Sequence, residues 1–153
     1  MSLVLFLVAC GGEPQKEAAG AAASAPAPSA PAAAPAAPAE VGPDGPADIA
    51  VVAVAEIPTD PAIVAEGEKV YGAKGCGGCH AFGSKLVGPD LVGLTQRRTT
   101  PWITKMIAEP DAMTKKDPVA RDLFKTHMVQ MPKQGVTPEE MPKLLAYIKS
   151  KGG

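Results

Sequence analysis

The spacing of apolar residues after residue 60 predicts a helix. Asp60 is a suitable N-cap residue, and Pro61 suits the first helical position because its missing N–H would be unpaired there anyway. One face then carries residues at helical spacing: Ile63, Gly67, Val70 and Tyr71. The pattern therefore predicts a first helix that ends before Lys74 and Gly75.

Capping and proline signals predict three further helices. Thr100-Pro101 begins a helix over residues 101–109, which Pro110 stops, and Asp117-Pro118 begins another that runs to about Thr126. Glycines at 83, 88 and 93 make residues 81–95 loop-like. No alternating strand pattern follows residue 60, so the fold class is predicted to be all-α.

The last predicted helix has a capping box. Thr137-Pro138-Glu139-Glu140 pairs a Thr with a Glu three residues later, with proline at the first helical position. Pro142 complicates this helix, because an interior proline either kinks a helix or delays its start. The core side of the helix is expected to present Leu144, Leu145, Tyr147 and Ile148.

The N-terminal segment resembles a lipoprotein precursor. Residues 3–9 form an apolar run too short to span a bilayer, and it ends at Ala9-Cys10 as in a bacterial lipobox. We therefore expect residues 1–9 to be a signal peptide and Cys10 to be lipidated. Met1-Ser2 departs from the pattern, since it lacks the usual positive charge. The competing interpretation is a buried N-terminal strand.

Residues 10–60 are predicted to be a linker, and residues 61–153 the folded domain. Residues 18–39 contain fourteen Ala and five Pro, which favours a disordered, extended tether over a packed structure. Residues 11–60 could reach on the order of 150 Å at full extension. Residues 49–57 are apolar, and the sequence leaves open whether they pack on the domain as a strand-like arm.

Charge is segregated along the chain, although the formal net charge is only -1. Residues 11–60 hold seven acidic residues and one basic residue, giving -6, whereas residues 61–153 hold fourteen basic and nine acidic residues, giving +5. A basic domain suggests redox partners with an acidic docking surface. Lys74, Lys85 and Lys133 are the candidate contacts.

Cys76-Gly77-Gly78-Cys79-His80 is the attachment signature of a c-type haem. Two thiols at this spacing can bond both vinyl groups of one haem, and the following His80 can ligate the iron. The alternatives are half of a zinc site, with Cys10 or His127 as the other candidate ligands, or a redox dithiol. The five-residue motif in an exported chain favours one covalent haem c.

These residues resemble a class I cytochrome c over about residues 60–153. In that family a glycine of the first helix meets an aromatic residue of the last, which Gly67 and Tyr147 match, with Tyr71 as the second aromatic residue. The resemblance implies a small fold of about four helices around one haem. It also implies that the Pro89 carbonyl accepts a hydrogen bond from the His80 ring.

The resemblance implies Met131, followed by Pro132, as the sixth iron ligand. Met128 and His127 are the alternatives, and His127 would give a bis-histidine iron of lower potential. Trp102 and one arginine of the Arg97-Arg98 pair, here Arg98, are candidate donors to the haem propionates. Apolar haem contacts are expected from Phe82, Leu86, Leu91, Leu94 and Phe124.

Ligation by His80 and Met131 would close the iron to small ligands and favour electron transfer over catalysis. We therefore expect a membrane-tethered one-electron carrier of a respiratory chain, lipid-anchored on the periplasmic side of a bacterial membrane, with no catalytic residues. The alternatives are a haem enzyme or ligand sensor with a labile methionine, and a fixed haem subunit of a respiratory complex.

Overall fold

The computed structural model describes residues 41–152. These residues form six α-helices and no strand. In chain order the helices are α1 (Pro61–Ala73), α2 (Leu94–Arg97), α3 (Thr100–Ala108), α4 (Pro110–Lys116), α5 (Pro118–His127) and α6 (Met141–Ser150), and a short 3-10 turn covers Cys76–Gly78. The predicted all-α fold is confirmed. None of the described helices has the length and apolar character needed to cross a membrane.

Local signals position most of these helices. The Asp60 side chain accepts hydrogen bonds from the N–H groups of Ala62 and Ile63, which fixes the start of α1. The Asp117 side chain caps α5 in the same way, through Ala120. Pro110 ends α3 as predicted, but it also begins α4, which the sequence analysis missed.

Helix α6 begins at Met141, after the capping box rather than inside it. The box itself forms, since Thr137 N–H donates to Glu140 and Glu140 N–H donates to the Thr137 hydroxyl. Pro142 occupies the first turn of α6. Backbone N–H groups there have no intrahelical acceptor, so the N–H that proline lacks is not missed. Pro142 therefore delays the start of the helix instead of kinking it.

Helices α1 and α6 cross in close contact. A Cβ on Gly67 would lie 2.9 Å from Tyr147 Cβ and would collide with the Lys143 carbonyl. Only a residue without a side chain allows the two backbones to approach this closely. The predicted contact of Gly67 with Tyr147 is confirmed, and Tyr71 and Tyr147 pack with ring centroids 5.2 Å apart.

Residues 41–57 pack against the helices, so the folded part begins before residue 61. Ile49 and Ile57 are buried in the core, and Val51 and Val54 pack against it. This segment lies on the domain without forming a strand. The predicted signal peptide, Cys10 and the Ala/Pro-rich residues 18–39 lie outside the described residues.

Candidate haem site

The Cys-x-x-Cys-His segment lies at one side of a deep apolar cavity. The cavity has a volume of about 1180 Å³, part of it open to solvent. Cys76, Cys79 and His80 line it together with Met131 from the segment before α6. The remaining wall is mostly apolar and includes Leu91, Leu94, Trp102, Ile103, Met106, Phe124, Leu144 and Ile148.

The His80 ring is held from two directions. Its Nδ1 lies 2.9 Å from the Pro89 carbonyl oxygen, in the geometry that the sequence analysis predicted. Gly88 packs against the ring so closely that a Cβ there would lie 2.5 Å from His80 Cε1. A carbonyl acceptor at Nδ1 fixes the tautomer and leaves Nε2 as the atom able to ligate a metal.

Tyr71 supports the same segment through its hydroxyl, a role that the sequence analysis missed. The hydroxyl donates to the His80 carbonyl at 2.8 Å. Burial is the main reason that the pKa of Tyr71 is raised to about 12, with Cys76 and Tyr147 adding to the effect. The phenol therefore stays protonated and remains a donor over the physiological pH range.

Asp90 organises the loop that carries Gly88 and Pro89. Its carboxylate accepts from the N–H groups of Gly83 and Val92 at 2.8 and 2.9 Å, and these bonds lower its pKa. Arg97 donates to the carbonyls of Asp90 and Val92 from the other side. The position of Asp90 directly after Gly88-Pro89 was the signal in the sequence for this role.

The candidates for the sixth ligand separate by position. Met131 is partly buried and lines the cavity, whereas Met128 is 77% exposed and does not. His127 also lines the cavity, and its Nδ1 lies 3.0 Å from the Val87 carbonyl oxygen. The geometry therefore favours Met131 over Met128 and leaves His127 near the mouth of the cavity as the competing ligand.

Trp102 lines the cavity and carries a buried polar group without a partner among the described residues. The side chain is 4% exposed, and its Nε1 has no hydrogen-bond partner among the described residues. Burying an N–H without an acceptor costs free energy, so an acceptor is expected from a molecule bound in the cavity. The carboxylates of a haem are such acceptors.

Three predicted haem contacts do not line the cavity in this structure, and their contact with the haem stays a prediction. The Arg98 guanidinium lies over the ring of Trp102, 5.4 Å from its centroid, and does not itself line the cavity. Phe82 packs into the Tyr71–Tyr147 aromatic cluster instead of the cavity. Leu86 is 47% exposed, whereas Leu91, Leu94 and Phe124 line the cavity as predicted.

The cavity residues fit a haem. Two cysteines and a histidine stand at one side, a methionine lines the same space, and the buried Trp102 N–H has no partner within residues 41–152. A profile of the family described as cytochrome c matches residues 64–151, which is more than half of the chain. The chain belongs to the cytochrome c family. It is a class I c-type cytochrome, and it holds one covalent haem c.

Solved cytochromes have the same fold. Cytochrome c from Rhodothermus marinus superposes with a TM-score of 0.59 at 25% identity, over 70% of this chain and 89% of that one. An engineered cytochrome c from the same organism gives 0.60 at 23% identity, over 71% and 96% of the two chains. An engineered form bound to a carbene intermediate gives 0.57 at 24% identity. No curated protein matches this sequence.

Haem c supplies a one-electron couple at its iron, and the ligands and polarity that the protein provides set the reduction potential of that couple. In this cytochrome, Cys76 and Cys79 would hold the macrocycle and His80 would ligate the iron from one side. The apolar wall excludes water around the site, which favours a raised reduction potential. These features make the protein a haem-based electron carrier.

Proposed function

We propose that this cytochrome is a membrane-tethered one-electron carrier between respiratory-chain proteins, with Met131 as the sixth iron ligand. The observation that carries the proposal is the placement of His80 and Met131 on one cavity. Two protein ligands leave no open position for O₂ or peroxide, and thioether ligation raises the potential. An iron ligated in this way exchanges electrons and does not bind substrates.

The test is a comparison of Met131→Ala with Met128→Ala in the haem-loaded protein. We expect wild type to show low-spin haem with a sulfur–iron charge-transfer band and no CO binding in the ferrous state. Met131→Ala should lose the band and bind CO. Met128→Ala is the matched control, because Met128 is exposed outside the cavity, and it should behave as wild type.

Other outcomes separate the alternatives. Wild type that lacks the sulfur–iron band, shows a low-spin spectrum of two nitrogen ligands and binds CO only in His127→Ala would make His127 the ligand. Wild type that is high-spin and binds CO would support the haem enzyme or ligand sensor. Met131 lies in the non-helical segment 128–140 before α6. A ligand on such a segment is not fixed by helix hydrogen bonds, which is the reason to test whether it can leave the iron.

The membrane attachment is proposed from the sequence of residues 1–40. Lipidation of Cys10 would fix the protein to a bacterial membrane on its periplasmic side, and the Ala/Pro-rich segment would let the domain reach its partners. Because residues 41–57 pack on the domain, only residues 11–40 remain for the tether. They span about 90 Å at full extension, less than the sequence analysis allowed.

Free movement on this tether would raise the effective concentration of the domain near donor and acceptor. Radiolabelled palmitate incorporation that disappears in Cys10→Ser would support the anchor. A soluble, unlabelled wild-type protein would contradict it. A cytochrome that always co-purifies with one respiratory complex would instead favour the fixed haem subunit.

The partner is proposed to be a redox protein with an acidic docking surface. Fewer free lysines and a smaller positive charge support this than the sequence suggested. Lys74 pairs with Glu140, and Lys133 pairs with Glu109. Residues 41–152 together hold fourteen basic and thirteen acidic residues, giving +1, because four acidic residues precede α1. Lys85 has no ion pair among the described residues and is the remaining candidate.

Exposed apolar residues surround the cavity mouth and would form the centre of the contact. Val87, Phe124 and Val129 line the cavity and are 47%, 38% and 49% exposed.

Because the charge of Lys85 would attract an acidic partner, we expect electron-transfer rates to fall as the ionic strength rises, and to fall less steeply in Lys85→Ala. Lys116→Ala, which removes a lysine paired with Asp48, is the control. Rates independent of salt would contradict an acidic partner.

A further inference from the structure

The turn formed by residues 42–46 lies against Trp102. Gly45 N–H donates to the Gly42 carbonyl at 2.9 Å, which closes the turn, and Gly45 is buried with a φ of +75°. A Cβ at Gly45 would lie 3.3 Å from Trp102 Cδ1 and 3.3 Å from Met113 Cε. Cδ1 is bonded to Nε1, so the turn contacts the indole at the edge that carries its unpaired N–H.

Two side chains fasten this turn, and both come from the helix that carries Trp102 or from its cap. The Lys105 ammonium donates to the Asp44 carbonyl at 3.0 Å and to the Pro46 carbonyl at 2.9 Å, on either side of Gly45. The Thr99 hydroxyl donates to the Pro43 carbonyl at 3.1 Å. The turn is therefore fixed relative to Trp102 at three carbonyls.

Lys105 is an unusual residue for such a position. It is 8% exposed, and it has no carboxylate partner within 4 Å among the described residues. A buried ammonium needs acceptors, and here backbone carbonyls of the turn provide them. Because the buried Lys105 ammonium depends on these two carbonyls, it holds the turn in one position relative to α3.

We propose that the turn at residues 42–46 is a positioning element for Trp102. It holds the indole so that Nε1–H donates to a carboxylate of the haem, and it thereby raises the reduction potential. A hydrogen bond to this carboxylate reduces the negative field that stabilises ferric iron, so its loss lowers the potential. The proposal rests on the haem carrier function above, and it assigns to residues 42–46 a role in tuning that carrier.

The test is a double-mutant cycle on the haem-loaded, full-length protein, with the reduction potential as the readout. Trp102→Phe keeps an aromatic ring but removes the donor, and it should lower the ratio of reduced to oxidised protein at a fixed applied potential by about threefold. Gly45→Ala should shift the ratio in the same direction. In the Trp102→Phe background, Gly45→Ala should have no further effect.

Lys105→Met is the second variant, in case Gly45→Ala does not fold. Lys116→Met is its matched control, because it removes the same charge from a lysine that binds the same segment through Asp48, away from the turn. We expect Lys105→Met to shift the ratio by more than Lys116→Met, and this difference to vanish in the Trp102→Phe background. Melting temperatures report any general loss of stability separately.

Equal shifts in both backgrounds would overturn the proposal, since they would show an effect that does not pass through the indole. No shift in Gly45→Ala or Lys105→Met would overturn it as well. Failure of the carrier function is recognised independently, by a high-spin wild-type spectrum, because the cycle measures potential and the Met131 variants measure ligation.

Discussion

Glycine positions show how single residues shape the haem site. Gly88 has no positive φ, so conformational freedom does not explain it. Space does, because the His80 ring occupies the place of its Cβ. A side chain there would push the imidazole away from the position in which Pro89 holds it.

Gly88→Ala should therefore displace His80 without removing any ligand. A Cβ would lie 2.8 Å from His80 Nδ1, inside the contact distance that carbon and nitrogen tolerate. We expect a lower reduction potential and a partly high-spin spectrum, measured by redox titration and absorption. Gly72→Ala is the control, since nothing lies within 4 Å of that Cβ and Gly72 lies on α1, outside the turn at residues 42–46. A Gly88→Ala spectrum identical to wild type would contradict this account of the site.

At the scale of elements, the crossing of α1 and α6 carries the fold. Gly67→Ala places a methyl group against the Lys143 carbonyl, which belongs to a helix backbone and cannot move like a side-chain tip. We expect a loss of about 3 kcal/mol in the free energy of unfolding, measured by denaturant titration of the haem-loaded protein.

Gly72→Ala is the matched change on the same helix. Nothing lies within 4 Å of its Cβ, so the variant should be as stable as wild type or more stable by up to about 1 kcal/mol. Equal stabilities for the Gly67 and Gly72 variants would show that the two helices separate easily, against the packing described here.

The start of α6 is tied to the end of α1 by one carboxylate. Glu140 pairs with Lys74 at 2.8 Å and accepts from the Thr137 N–H, and these two contacts, the lysine first, lower its pKa. Because the folded-state pKa is the lower one, Glu140 stabilises the fold above its unfolded pKa. That stabilisation is lost as the pH falls through the folded pKa.

Glu140→Gln should remove part of the acid sensitivity. We expect its melting temperature to lie below that of wild type at neutral pH and to approach it as the pH falls through the lowered pKa of Glu140, where the wild-type carboxylate becomes protonated. Glu56→Gln removes an exposed acid that has no ion pair among the described residues and serves as the control. A constant difference at all pH values would exclude this linkage.

Local signals explain why so much of the fold could be predicted. Cys76, Cys79 and His80 lie within five residues of the chain. The capping side chains of Asp60, Asp117 and Thr137 bind N–H groups no more than three residues away. Helix α4 was missed because Pro110 was interpreted as a stop, although a proline that ends one helix also suits the first turn of the next.

The parts that were not predicted depend on residues far apart in the chain. Lys105 binds carbonyls about sixty positions away, and no periodicity marks a lysine as buried. Phe82 was expected to contact the haem, and no local pattern indicated that its ring packs on Tyr71 and Tyr147. Tertiary contacts decided both cases, and single-sequence patterns carry little information about them.

At the scale of the whole molecule, the question is where the folded part begins. Residues 49–57 lie within the predicted linker, although the sequence left open whether they pack on the domain, and the structure places Ile49 and Ile57 in the core at 6% and 8% exposure. Asp48 pairs with Lys116, and Lys105 holds the carbonyls of residues 44 and 46. An acidic segment thus covers part of a basic domain and reduces its net positive charge.

Limited digestion with thermolysin, which cuts before apolar residues, distinguishes the two boundaries. If residues 41–57 pack as described, cleavage should be confined to the residues before 41, and mass spectrometry should find a stable fragment that retains Ile49 and Ile57. A boundary at residue 61 predicts rapid cleavage within 49–57, where nearly every residue is a substrate. Ile49→Asp, which places a charge in the core, should convert the first pattern into the second, because proteolysis follows the population of the open segment.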